Sequence, residues 1–141
     1  MNRQHFLTLL GAGCAGLVLS ACSGVRAVSG ILSGKTLELP IQAFENNASG
    51  VVTYESMVIV KHDELRYYVC VIRRSATDYT ALLMRCSHQG ASLQVAGDRL
   101  HCPAHGSEFG LDGAVLHGPA TTAITQFPVS VDRSTIRIQL S

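Results

Sequence analysis

The chain has 141 residues, of which 47% are hydrophobic and 15% charged, and its formal net charge is +1. That is enough apolar material for one core and too little charge for a disordered tail protein, and without a basic stripe there is no footprint for a nucleic acid. The five cysteines, Cys14, Cys22, Cys70, Cys86 and Cys102, are odd in number and irregularly spaced, which argues against a disulfide framework.

The first 21 residues have the layout of an export signal: Arg3 precedes an apolar run, and small residues follow it. Leu19-Ser20-Ala21-Cys22 resembles the lipobox of bacterial lipoproteins. The resemblance implies cleavage before Cys22, lipidation of that cysteine, and a protein held at a membrane facing the periplasmic or extracytoplasmic side. The alternative is an uncleaved anchor, because Leu7 to Val25 carries no charge and about 20 apolar residues span a bilayer. Arg3 to Leu7, RQHFL, resembles the twin-arginine export motif with Gln4 in the place of the second arginine, so both that route and the ordinary one stay open. Loss of Arg3 would leave ten basic and ten acidic residues, so gross charge does not choose the partner. The Gly- and Ser-bearing segment that follows suggests a flexible tether over 22–35.

From residue 36 the pattern is β. TLELPI (36–41) alternates and SMVIVKH (56–62) is an apolar run ended by a turn at Asp63-Glu64. LRYYVCVIRR (65–74) is β-branched and aromatic, and TALLMRC (80–86) follows a polar turn at Ser75 to Asp78. The short pieces SLQVA, RLHC, SEFG and AVLH come next, then FPVSVD (127–132) and TIRIQL (135–140) around a tight turn at Arg133-Ser134. Many short strands between Gly, Asn, Asp and Pro predict an all-β sandwich or barrel over 36–141. No helical period of ten residues or more lies outside the signal. Cys70, inside YYVCVIRR, reads as core filling.

The chemistry is concentrated in MRCSHQGASLQVAGDRLHCPAHGSEFG, Met84 to Gly110. Cys86-Ser87-His88 and Cys102-Pro103-Ala104-His105 each follow a predicted strand, and 13 residues separate His88 from Cys102. Gly90 and Gly106 let the backbone turn tightly past a bulky guest. Thiolate with imidazole suits zinc or iron. Structural zinc sites use C-x2-4-C and H-x3-5-H, whereas each segment here mixes one Cys with one His. That division suits a cluster with two chemically different irons.

CSHQG followed by CPAHGS closely resembles the paired motifs of Rieske [2Fe-2S] proteins. The resemblance covers roughly residues 36–141. It implies a Rieske-like antiparallel β-sandwich with a small cluster-binding subdomain of two loops. It also implies one Rieske-type [2Fe-2S] cluster, with Cys86 and Cys102 on one iron and His88 and His105 on the other. Gly118-Pro119-Ala120 resembles the family's proline loop over the cluster. Replacing two thiolates by two neutral imidazoles leaves the oxidised centre near zero charge, so an electron enters more readily and the potential rises to about −150 to +300 mV. A ring nitrogen stays titratable, so electron and proton can move together, as quinol oxidation requires.

The departures from the family pattern set the expected function. Ala91 and Ala104 stand where the quinol-oxidising subunits carry two extra cysteines joined in a disulfide. Ser107 keeps one hydroxyl donor to the cluster, and Phe109 replaces a tyrosine that supplies the other. Donors to sulfur stabilise the reduced centre, so the resemblance implies a potential below that of those subunits. The expected function is a membrane-tethered Rieske electron carrier of the bacterial cell envelope, with no catalytic residues of its own. Its partners would be redox proteins: a cytochrome, a quinol-linked complex or a large oxidoreductase subunit. The alternatives are a Rieske subunit of a quinol–cytochrome c reductase-like complex or of a molybdenum oxidase, an oxygenase-partner ferredoxin, and a zinc-stabilised binding module.

Overall fold

The computed structural model describes residues 24–141. The expected signal over 1–21 and the lipidation site at Cys22 lie outside the described residues. The expected all-β architecture is what the chain forms.

A five-stranded sheet runs through the middle, in the spatial order Arg26–Ser29, Met57–Lys61, Val69–Arg73, Tyr79–Leu83, Gln126–Phe127. Its three central strands lack polar alternation because both faces are covered, and Met57 to Val60, Val69 to Ile72 and Tyr79 to Leu82 are all buried. Their side chains divide with a period of two. Met57, Ile59, Cys70, Ile72 and Leu82 enter one core, while Val58, Val60, Val69, Val71 and Ala81 enter the other.

The second core is closed by a four-stranded sheet, Val129–Asp132, Thr135–Gln139, Thr36–Pro40 and Ile31–Ser33. There Leu37, Leu39, Ile136 and Ile138 are buried, and between them Glu38 and Arg137 pair at 3.2 Å on the outer face. The short turn Ile41–Phe44 drives Phe44 into this core, with its ring 5.3 Å from Tyr79. The first core is covered by a sheet of short strands, Val115–His117, Glu108–Phe109, Arg99–His101 and Gln94–Ala96, which contributes Leu100 and Phe109. A ribbon of Glu45–Asn46 against Thr53–Tyr54 completes the set.

Two expectations need correction. The segment over 22–35 is not a free tether throughout, because Arg26–Ser29 and Ile31–Ser33 are strands. The first pairs with Met57–Lys61 and is parallel, in an otherwise antiparallel sheet. Its hold comes from side chains that a Gly/Ser count does not weigh. Val28 packs on the second core, and Arg26 donates to Ala43 O at 3.0 Å and Glu45 O at 2.9 Å. The second correction concerns FPVSVD, which is two strands rather than one. Pro128 has no N–H for a ladder, and the chain passes there from the five-stranded sheet to the four-stranded one.

Cys70 is core filling, as expected, and burial pushes its thiol up to about 12. Among the described residues, no helix is long and apolar enough to cross a membrane.

Gly30 tests whether 24–35 belongs to the fold. A Cβ there would meet Leu37 Cδ1 at 2.6 Å and Val60 Cγ1 at 2.8 Å, and both side chains are fully buried. Gly30→Ala should therefore lose about 1–3 kcal/mol in a urea titration. Gly24→Ala, with nothing within 4 Å, should stay within about 0.5 kcal/mol of the parent.

Candidate metal centre

Two turns of one design carry the four predicted ligands. In the first, the Cys86 N–H donates to Ala91 O at 2.7 Å, and the Gly90 N–H returns to Cys86 O at 2.9 Å. In the second, the Cys102 N–H donates to Ser107 O at 2.8 Å, and the Gly106 N–H returns to Cys102 O at 2.9 Å. The offsets are identical, five residues out and four back. Gly90 at φ +75° and Gly106 at φ +84° supply the left-handed residue that closes each turn.

Each turn hangs from a different layer. The first leaves the central sheet beyond Leu83, held by Met84 N–H to Tyr68 O and Leu93 N–H to Met84 O. The second follows Arg99–His101 of the short sheet. There Arg99 pairs with Glu108 on the neighbouring strand at 2.8 Å, and its hydrogen bond holds the Glu108 carboxyl below the usual carboxylate range.

The turns sort their donors by depth. Cys86 and Cys102 are both buried in the first core, and neither is in a disulfide. His88 and His105 are exposed, with their rings edge to face and 5.1 Å between centroids. Two cysteines 16 positions apart in the chain thus present their thiols inward, and two histidines 17 apart present their imidazoles at the surface, side by side. Among the described residues, no three His, Cys, Asp or Glu side chains converge on one point fit for a single ion.

The predicted covering segment lies against both turns. Ala120 is buried, and its N–H donates to Ser107 Oγ at 2.9 Å. Ser87 Oγ donates to Thr122 O at 2.6 Å. One serine from each turn therefore pins residues 118–122, with Gly118 and Pro119 left exposed. Ser107 is fully buried, and among the described residues its own hydroxyl proton has no acceptor. His117 is exposed and stands opposite Glu108, as does the half-buried His101 on the other side.

Sequence reading missed two contacts. Ser87 sits inside the motif, but its partner lies 35 residues on. Tyr67, from the loop before Val69–Arg73, donates to Gly90 O at 2.7 Å. The guanidinium groups of Arg66 and Arg85 lie 5.3 Å and 5.8 Å from the centre of its ring. This hydrogen bond braces the first turn from outside, where Ala91 and Ala104 provide no cross-link. A groove of about 710 Å³ runs along the same flank between Tyr67, Tyr68, Met84, Leu93 and Pro103.

The Rieske [2Fe-2S] domain family matches residues 41–128. The cytochrome b6-f complex iron-sulfur subunit of Synechococcus sp. (strain JA-3-3Ab) is 27% identical, over 97% of this chain and 86% of its own. Among solved structures, the cyanobacterial plasma membrane Rieske protein PetC3 from Synechocystis PCC 6803 superimposes with a TM-score of 0.49 at 23% identity, over 59% of this chain and 85% of that one. The complex of reduced oxygenase and oxidized ferredoxin in carbazole 1,9a-dioxygenase gives a TM-score of 0.46 at 24% identity, over 60% and 81%.

Removing the brace should loosen the centre without unfolding the sheets. Tyr67→Phe deletes one hydrogen bond, worth about 0.5–1.5 kcal/mol locally. The visible absorption of the centre should then be lost earlier on heating, while far-ultraviolet circular dichroism keeps the parent midpoint.

Proposed function

This chain belongs to the Rieske [2Fe-2S] domain family and carries one Rieske-type cluster, and from that premise we propose that it is an envelope-tethered carrier passing single electrons between redox partners. The carrying observation is the pair of matched turns, which buries two thiols and leaves two imidazoles exposed with 5.1 Å between ring centroids. In this reading Cys86 and Cys102 would hold one iron of the cluster, and His88 and His105 the other. The donor set fits the cluster in kind: two uncrosslinked buried thiols, two neighbouring imidazoles, and a buried serine with a proton to give. When bound, the cluster takes up and releases one electron at a time.

The residues divide the remaining work. Burial of the cysteines keeps water and oxidants from the sulfur end. Exposure of the histidines puts the route for the electron at the surface, where a partner can approach. Ser107, positioned by the Ala120 N–H, would donate its hydroxyl proton to the cluster. Ala120 and the 118–122 segment close the side of the site. Phe109, fully buried and without a hydroxyl, adds apolar surroundings rather than a second donor. The zinc-module alternative is weakened by the match of residues 41–128 to the Rieske [2Fe-2S] domain family and by the mixed Cys–His spacing of each turn.

A second reading, a subunit of a quinol-linked complex, is favoured by the similarity to a cytochrome b6-f complex iron-sulfur subunit along almost the whole chain. The two readings differ in potential. With Ser107 as the single side-chain hydroxyl donor, the carrier reading expects a midpoint in the lower half of the range of about −150 to +300 mV. A redox titration measures it, Ser107→Ala should move it lower still, and a midpoint in the upper half supports the complex subunit. The anchor has its own test. Radiolabelled palmitate should mark the expressed protein and fail to mark Cys22→Ser; equal labelling of both removes the lipid tether.

A further inference from the structure

Strand register shows at which end of the molecule the chain arrives. Arg26 stands opposite Val58, Val58 opposite Val71 and Val71 opposite Ala81, while Ser29 stands opposite Lys61 and Val69 opposite Leu83. The start of the first strand therefore lies at the Met57 and Arg73 end of the central sheet. The turn of Cys86 and His88 leaves from the other end, beyond Leu83.

The ribbon Glu45–Asn46 with Thr53–Tyr54 sits at the arrival end. Arg26 fastens its base, bonding Glu45 O at 2.9 Å and lying 3.7 Å from the Glu55 carboxylate. The turn of the ribbon exposes two successive valines, Val51 by 64% and Val52 by 53%. Tyr54 is 46% exposed beside them, with the Arg73 guanidinium 4.3 Å over its ring. Apolar residues at a tip, backed by an aromatic ring and a cation, form the composition that settles at the boundary between headgroups and acyl chains. Charges nearby are mixed, Arg26 and Arg73 against Glu45 and Glu55, so the contact is apolar rather than selective for anionic lipid.

The stretch between Cys22 and the first strand is short. Only Ser23, Gly24 and Val25 separate Cys22 from Arg26, and four extended residues reach at most ~14 Å. We infer that the ribbon tip, Val51 and Val52 with Tyr54, seats on the lipid bilayer that holds Cys22. This rests on the lipid-anchor reading of Cys22. It sharpens that reading, because the domain is then held against the surface in one orientation instead of ranging on a long tether. His88 and His105 are turned to the aqueous side, and the partner they serve reaches them from water.

The chain contains no tryptophan, so Val51→Trp installs a single fluorescent probe. The full-length lipidated protein is reconstituted into phosphatidylcholine and phosphatidylglycerol vesicles, with plain or brominated acyl chains. Its emission should fall about twofold on bromine, as for a group ~5–10 Å into the interface. Val52→Trp should behave alike. Ile31→Trp, 67% exposed and next to Gly30, whose N–H bonds Lys61 O at the opposite end of the central sheet, should be quenched far less. If both valine probes are quenched no more than Ile31→Trp while the protein still sediments with the vesicles, the seating is overturned and the anchor stands. Protein that does not sediment with the vesicles overturns the anchor reading and the seating with it.

Discussion

The structure depends on a closure that is made twice. A cysteine N–H reaches a carbonyl five residues ahead, and a glycine four residues ahead reaches back to the cysteine carbonyl. Each closure needs a left-handed residue, and glycine is there both times. With the backbone so fixed, the cysteine side chain is directed into the core and the histidine stays at the rim. Because the two turns share a plan, their histidines meet and their thiols both enter the first core. That is how one short stretch presents donors of two kinds, thiols in the core and imidazoles at the surface.

The rest of the fold keeps the turns in place. Central strands buried on both faces give a stiff middle layer, and the first turn is its direct extension. The short sheet carries the second turn and is tied to the middle layer through Leu100 and Phe109 in the first core. Segment 118–122 then joins the two turns through Ser107 and Ser87. No covalent bridge links the turns, since Ala91 and Ala104 cannot form one. Hydrogen bonds from Tyr67, Ser87 and Ala120 take that place.

The site was legible in the sequence where its determinants are local. Cys86, His88, Gly90 and the second set lie within a few residues of each other, so spacing and residue type reveal them. The central strands were legible too, because an unbroken apolar run of four to six residues means burial on both faces. What failed to show was long-range. Residues 26–33 resemble a linker by composition, and only the pairing with Met57–Lys61 makes a strand of them. Tyr67 lies 23 residues from Gly90 and Ser87 lies 35 from Thr122, and no pattern in the chain announces either bond. The strand break at Pro128 was visible in principle, since proline has no donor for a ladder, but the alternating residues on both sides concealed it.

The central claim is that two imidazoles and two thiolates divide one diiron cluster between them. Pulsed EPR of the dithionite-reduced protein tests it most directly, because a histidine nitrogen bound to iron gives its own hyperfine coupling. Two nitrogen couplings of imidazole size, one of them missing in His105→Ala, are what the account predicts. A reduced signal without strong nitrogen coupling, or one left unchanged by His105→Ala, would contradict it.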